Sequence, residues 1–189
     1  MKHEINSQNT KMMLAETLIS LLEKKPISKI TVSELVNLCE INRKTFYYHF
    51  QDVYDLLEWY LDTEFQKAMI TMGPLENFET IVDYAAEYMD KYTYLRNCVD
   101  NPLGRDKIMQ FLNKRLYPKA LEMSTDLEQR YGKTLEPEFK EFLAKTMVHI
   151  TVLSIIDTIE NGNGVDMKKM KLYASIITDA TIEGFFQRL

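Results

Sequence analysis

The segment from Thr31 to Phe50, TVSELVNLCEINRKTFYYHF, constrains the fold more than any other part of the chain. Thr31 followed three residues later by Glu34 forms a capping-box pattern, so a helix is expected to begin near Val32. A helix this short is not stable alone and requires neighbours. Apolar residues recur along it at three- and four-residue steps, which predicts one stripe facing a core; they are Val32, Leu35, Val36 and Cys39.

A second short helix is expected after a polar corner. Glu40-Ile41-Asn42 supplies the turn, and Asn42 is the predicted N-cap because its side-chain oxygen can accept a bond from an amide two or three residues on. Phe46 and Phe50 are expected to pack inward beneath Ile41. The opposite face then presents two cations and two phenols, groups that suit phosphates and guanine edges; they are Arg43, Lys44, Tyr47 and Tyr48. The segment therefore predicts a DNA-reading helix-turn-helix, and the alternative is a core helix hairpin with a few exposed charges.

The same residues resemble the helix-turn-helix of the TetR family of transcriptional regulators. Family members have an isoleucine or leucine and a small residue on the first motif helix and a glycine-valine-serine turn. They then have threonine, an apolar residue, tyrosine, two largely aromatic residues and phenylalanine. The corresponding residues here are Leu35, Val36, Glu40, Ile41, Asn42, Thr45, Phe46, Tyr47, Tyr48, His49 and Phe50. The match covers about the first quarter of the chain. The longer segment TFYYHFQDVYDLLEW is similar to a subgroup that includes regulators of dihydroxyacetone kinase operons.

The resemblance implies an all-α protein whose two motif helices bind double-stranded DNA. The residues implied to touch the DNA backbone or a base edge are Thr31 and Ser33; those implied to enter the major groove are Arg43, Lys44 and Thr45; and those implied to meet phosphates or bases are Tyr47, Tyr48 and His49. The family default is repression. We hypothesise that a small-molecule effector shifts the helix at 52–73, changes the spacing of the two DNA-reading domains and lowers the affinity for DNA.

Two residues depart from the family pattern. Glu40 stands where the turn glycine is usual, and a non-glycine residue with positive φ is strained, which predicts a slightly different turn. Val53 stands where the family has a lysine that binds phosphate at the start of the next helix. The first departure concerns the geometry of the corner, and the second removes one expected DNA contact.

The net charge of −5 is distributed unevenly along the chain. Residues 1–50 hold seven Lys or Arg and five Asp or Glu, a net charge of +2, whereas the remaining residues hold 16 and 23, a net charge of −7. DNA would attract the first part and repel the second, which orients the protein on a duplex. Lysines flanking the motif are candidates for further phosphate contacts; they are Lys11, Lys24, Lys25 and Lys29.

The composition is that of an ordinary globular protein, with 46% hydrophobic and 27% charged residues among 189. No run approaches eighteen uninterrupted apolar residues, and the N-terminus has no signal-peptide core, so no membrane contact and a cytoplasmic location are expected. Cys39 and Cys98 have no paired spacing and are predicted to be buried thiols. No phosphate loop, GxSxG elbow, HExxH or Glu-x-x-His pair occurs in the sequence. We therefore predict that the protein is not an enzyme and that it has no cofactor or metal.

Helical patterns and breaks divide the chain into three parts. We expect a helix-turn-helix domain at residues 1–51, a connecting helix at 52–73 beginning after Asp52 as N-cap, and a helical effector-binding and dimerisation domain at 74–189. Pro102-Leu103-Gly104 is interpreted as a break between helices, and Pro118 as a kink or division. The predicted helices are 9–23, the two of the motif, 52–73, 78–95, 105–131, 138–160 and 166–187.

The last two predicted helices are long and apolar, and a short glycine turn between them predicts an antiparallel pair. The run from Met147 to Ile159 is apolar on nearly every side, so it needs neighbours all round: either a large monomer core or a two-fold interface. Because the TetR family dimerises through its last two helices, the resemblance favours a homodimer, which would read an inverted repeat. The residues expected at the interface are Ile155, Ile159, Ala174, Thr178 and Thr181.

A pocket for a small, mainly apolar or aromatic effector is expected in the C-terminal domain. Each candidate could equally be an ordinary core residue; the candidates are Tyr84, Tyr88, Met89, Tyr92, Met109, Met147 and His149. A second functional hypothesis is a co-activator or protein-interaction module of the same fold with weak or lost DNA binding. Val53 and the acidic total favour that alternative.

Overall fold

The computed structural model describes residues 2–72 and 94–161, and beyond these 169, 172, 173, 176, 177, 180, 181 and 183–185. The fold is all-α, as predicted. The elements are α1 (Lys2–Leu22), a 3-10 turn (Ile27–Lys29), α2 (Val32–Leu38), α3 (Arg43–His49), α4 (Val53–Met72), α5 (Leu95–Cys98), α6 (Pro102–Tyr131) and α7 (Pro137–Asn161). The described residues from 169 onward are also helical. The predicted helix at 78–95 lies almost wholly outside the described residues.

The chain forms two compact units. Among the described residues, the first unit comprises 2–72 and 94–111, and the second comprises everything from 112 onward. The first unit thus includes the start of α6, which the sequence placed in the C-terminal domain.

Aromatic and aliphatic side chains fill the core of the first unit. Phe46 is fully buried and Phe50 is 4% exposed, which confirms that this face of α3 packs inward. The Phe50 ring lies 5.8 Å from the ring of Trp59, so α3 also contacts α4. Cys39 and Cys98 are buried free thiols, as predicted.

The segment from Tyr94 to Gly104 packs against the end of α1 and the turn that follows it. Asn97 Nδ2 donates to the carbonyl of Leu22, the last residue of α1, at 2.7 Å. Ser28 Oγ in the 3-10 turn donates to Asp100 Oδ2 at 2.6 Å. These contacts explain why a segment so distant in sequence belongs to the first unit.

The interpretation of Pro102-Leu103-Gly104 as a break was wrong, because α6 begins at Pro102. Asn101 Oδ1 accepts from the Gly104 amide at 3.0 Å and so caps the helix. Proline suits the first helical position, where its missing amide hydrogen has no intrahelical partner.

In the second unit, α6 runs on through Pro118 as one helix. It ends at Gly132, whose φ of +63° allows the Lys133 amide to donate back to the Glu128 carbonyl at 3.2 Å. The Glu128 carboxylate accepts from Lys140 Nζ at 2.9 Å and from the Leu135 amide at 3.0 Å, and these bonds lower its pKa. Glu128 therefore ties the end of α6 to the start of α7.

The last two helical stretches meet at opposite ends. Phe139, in the first turn of α7, stacks on Phe185 near the end of the chain, with ring centroids 3.8 Å apart and planes within 9°. A contact between the start of one helix and the end of the other is the one that an antiparallel pair makes, in agreement with the prediction.

Among the described residues, α7 is the one helix long and apolar enough to cross a membrane by length and composition. The mean hydropathy of its most apolar window is 1.5, and 50% of that window is buried inside the protein. A core helix of a soluble protein meets the same criterion, so the finding is weak evidence for a membrane span.

Candidate nucleic-acid interface

The cap of α2 is half of the predicted capping box. Thr31 Oγ1 accepts from the Glu34 amide at 3.2 Å, as expected from their spacing. The second half differs from the prediction, because the Glu34 carboxylate accepts from Lys25 Nζ at 2.6 and 2.7 Å. Lys25, a candidate phosphate ligand in the sequence, therefore ties the end of α1 to the start of α2.

The corner between α2 and α3 contains a left-handed residue. Glu40 has a φ of 53°, a conformation in which an L-residue costs about 1–2 kcal/mol and glycine costs far less. The Ile41 amide donates to the Val36 carbonyl at 3.0 Å and closes the turn. The corner thus has a backbone suited to glycine, whereas the sequence had predicted that Glu40 would impose a different turn.

Asn42 caps α3, as predicted. Its Oδ1 accepts from the Thr45 amide at 2.8 Å and from Thr45 Oγ1 at 3.1 Å. The Thr45 hydroxyl proton is therefore committed inside the protein, and its oxygen remains free to accept. A base edge facing Thr45 would have to offer a donor or a methyl group.

The outward face of α3 is chemically unlike an ordinary solvated face. Tyr48 is 82% exposed and Tyr47 is 57% exposed, while Arg43 and Lys44 are also exposed. These exposures, with Phe46 fully buried on the opposite side of α3, confirm that the predicted face points to solvent. Two cations and two phenols displayed on a short rigid helix can donate hydrogen bonds to phosphate oxygens and base edges.

The first turn of α2 adds the other two predicted residues. Thr31 is exposed and Ser33 is half-buried. Arg43 Nη2 donates to Ser33 Oγ, so Ser33 and Arg43 are brought together. The sequence had no means of pairing these residues, since their side chains meet only when the corner sets the angle between the two helices.

His49 closes the face at the end of α3. Its ring lies edge-on to Tyr48, with centroids 4.9 Å apart. Partial burial, and to a smaller extent the nearby Lys11 ammonium, lower the pKa of His49 from its usual 6.5. Lys11 itself lies 5.7 Å from the centre of the Trp59 ring, a cation–π contact that holds it against α4.

The start of α4 offers no cation to a phosphate. Val53, its first residue, is 7% exposed and belongs to the core. Asp52 Oδ1 accepts from the Asp55 amide, which confirms Asp52 as the cap, and Asp55 Oδ2 accepts from the Gln51 amide, each at 2.9 Å. Two carboxylates at this helix end would repel phosphates, whereas the exposed cations Arg43 and Lys44 lie on α3.

Few of the predicted pocket residues are described. Tyr84, Tyr88, Met89 and Tyr92 lie outside the described residues. Met147 packs against the buried cluster of Leu127, Leu135 and Leu143 in the second unit, and Met109 is half-buried with Arg105 Nη1 3.1 Å from its sulfur. His149 is exposed, and its Nδ1 lies 2.7 Å from the Lys145 carbonyl.

Three of the five residues predicted at the dimer interface are described. Ala174 and Thr178 lie outside the described residues. Ile155 and Ile159 are 4% and 8% exposed, so they are buried within the single chain. Thr181 is half-buried, and its hydroxyl donates to the Ile177 carbonyl at 2.6 Å.

Comparison with solved structures supports the fold assignment. The chain is similar to a solved structure described as dihydroxyacetone kinase operon activator DhaS, with a TM-score of 0.65 and 18% sequence identity over 92% of this chain and 96% of that one. At this identity the likeness shows a shared all-helical fold. No protein-family model matches the sequence, and neither does any curated protein.

Proposed function

We propose that the protein is a sequence-specific DNA-binding transcriptional regulator of the TetR type, with residues 1–51 as the reading domain, 52–73 as the connecting helix and 74–189 as the regulatory and dimerisation domain. The observation that carries the proposal is the exposed face of α3, which presents Arg43, Lys44, Tyr47 and Tyr48 to solvent while Phe46 on the opposite face is buried. A cytoplasmic location follows from this function.

Selection of duplexes from a random-sequence library by the full chain tests the proposal. We expect enrichment of an inverted repeat, and affinity that falls steeply as salt concentration rises because bound phosphates release counterions. Lys44→Ala should reduce the slope of log affinity against log salt by about 1. The matched control is Lys145→Ala, which removes the same charge from an exposed lysine on α7 and should leave binding unchanged. Equal effects of the two substitutions would contradict the assignment of α3.

Homodimerisation is proposed through the exposed apolar side chains of the last two helical stretches. Ile150 and Leu153 on α7 are 41% and 51% exposed, and the final stretch adds four more side chains that are each more than half exposed: Leu172, Tyr173, Ile176 and Ile177. On each helix these apolar side chains are spaced three or four residues apart, and exposed apolar groups of this kind mark interaction sites. This surface replaces Ile155 and Ile159, which are already buried, as the centre of the proposed interface.

Sedimentation velocity tests the dimer. Leu153→Glu should yield monomers, because a carboxylate would lose its hydration at the interface. Glu141→Gln, an exposed change on the same helix, is the control and should leave the dimer intact. A Leu153→Glu protein that stays dimeric would place the interface elsewhere.

The direction of regulation has two candidates. Repression is the expectation from the TetR resemblance, and activation is favoured by the description of DhaS as an operon activator. A reporter gene under the selected duplex distinguishes them, because expression falls with a repressor and rises with an activator. A small-molecule effector is part of the proposal, and an effector must change the affinity for that duplex.

A further inference from the structure

Arg43 and Ser33 connect the two motif helices on the surface of the first unit. Arg43 is the first residue of α3 and Ser33 is the second residue of α2, and Arg43 Nη2 donates a hydrogen bond to Ser33 Oγ. Arg43 is exposed and Ser33 is half-buried. Arg43 and Ser33 were both predicted to contact DNA, and Arg43 is therefore held by Ser33.

The backbone on both sides of this bond is anchored. Thr31 caps α2 through the Glu34 amide at 3.2 Å, and Lys25 holds the Glu34 carboxylate at 2.6 Å. Asn42 caps α3 through the Thr45 amide at 2.8 Å. These side chains hold the two helix starts on which Ser33 and Arg43 lie.

We propose that Ser33 is a positioning residue for Arg43, and that the oriented guanidinium recognises a guanine edge in the major groove. The inference rests on the proposed DNA-binding function. An arginine free in solvent loses rotamer freedom when it binds, and a side chain that is already oriented avoids part of that cost. Arginine has five N–H donors, so the bond to Ser33 leaves enough for two parallel bonds to O6 and N7 of guanine.

The direction of this hydrogen bond leaves Ser33 able to make a second one. Its oxygen accepts from Arg43, so its own hydroxyl proton remains available to donate to a phosphate oxygen. Contact with the DNA backbone and orientation of Arg43 are then compatible in one side chain. A lysine at position 43 would keep the charge but lose both the planar fork and the fixed direction.

Base preferences of variants test the inference. The full chain is used to select from a random duplex library, and affinity is then measured for the favoured duplex and for its single-base variants. We compare wild type with Ser33→Ala, Ser33→Thr, Arg43→Lys, Arg43→Ala and the double variant of Ser33→Ala with Arg43→Ala. Arg43→Lys should lower the preference for guanine at one position by at least about fivefold. Ser33→Ala should lower the preference for guanine at that position by about threefold or more, since a guanidinium that is no longer oriented binds guanine less well.

The double variant and the conservative variant separate positioning from other roles. Ser33→Ala should cause no further change in base preference once Arg43 is alanine, because there is no guanidinium left to orient. Ser33→Thr keeps the hydroxyl and should restore the preference. If Ser33→Ala leaves the base preference unchanged, or changes it equally whether residue 43 is arginine or alanine, the inference is overturned while DNA binding stands. A wild-type protein that enriches no sequence would instead contradict the proposed function and the inference with it.

Discussion

Gly104 lies in the first turn of α6, where a side chain has no room. A Cβ built at this position would lie 2.0 Å from the Cys98 carbonyl oxygen and 3.5 Å from Ile27 Cγ2. Ordinary contacts begin at 3.4 Å, so Gly104→Ala requires the Cβ and the Cys98 oxygen to move apart by about 1.4 Å, the difference between 3.4 and 2.0 Å. The Cβ is fixed to the backbone of α6 and the atom that it meets is a backbone oxygen, so the end of α5 or the start of α6 must move.

The cost of Gly104→Ala can be worked from these contacts. Overpacking costs about 1–3 kcal/mol, and displacement of the amide from the Asn101 cap, 3.0 Å away, costs about 1 kcal/mol more. The greater helix propensity of alanine returns up to about 1 kcal/mol. We therefore expect a net loss of about 1–4 kcal/mol in the free energy of unfolding, or roughly 2–16 °C in Tm for a chain of this size.

The assay is denaturant unfolding followed by the fluorescence of Trp59, the only tryptophan of the chain, which lies in the first unit. Gly184→Ala is the matched control, because a Cβ at this helical position meets nothing within 4 Å. Followed by circular dichroism, that substitution should be neutral or stabilise by up to about 1 kcal/mol. A Gly104→Ala protein as stable as wild type would refute the reasoning, since it would mean that α5 and α6 do not approach so closely.

Three further predictions concern single side chains of the first unit. Glu40→Gly should raise the free energy of unfolding by about 0.5 kcal/mol, because the strain relieved at the positive φ of 53° exceeds the entropic cost of ordering a glycine. A variant that is less stable than wild type in urea unfolding would argue against strain at Glu40. Burial and the Lys11 ammonium lower the pKa of His49 in the folded protein, so the unfolded chain binds the proton more readily and the free energy of unfolding should decline as pH falls below about 6.5. His49→Gln should weaken this decline, and identical stability profiles of variant and wild type against pH would contradict the prediction. Asn97→Ala removes the 2.7 Å bond to the Leu22 carbonyl and should cost about 1 kcal/mol in tryptophan-detected unfolding, an effect whose absence would count against the docking of α5 on α1.

Features that depend on spacing within one or two turns were predictable. The caps at Thr31, Asn42 and Asp52 follow from side chains that reach an amide three residues on, and the structure contains all three. The inward position of Phe46 and Phe50 follows from helical periodicity in the same way.

Pro102 shows where local signals are ambiguous. A proline that ends one helix and a proline that starts another look the same in the sequence, and only the Asn101 cap and the close approach of Cys98 identify it as a start. Glu34 is a similar case, because the capping-box pattern contains no information about Lys25, nine residues earlier, which binds the Glu34 carboxylate instead.

Periodicity and side-chain chemistry are enough to predict that residues 31–50 form two short helices with one buried aromatic face and one cationic, phenolic face. How the cationic face is organised depends on the packing of the helices. The angle at the left-handed Glu40 corner brings Arg43 onto Ser33, and the packing of α4 buries Val53 in the core. Such pairings depend on how helices pack, and the free energy that sets packing is summed over many distant contacts rather than over neighbouring residues.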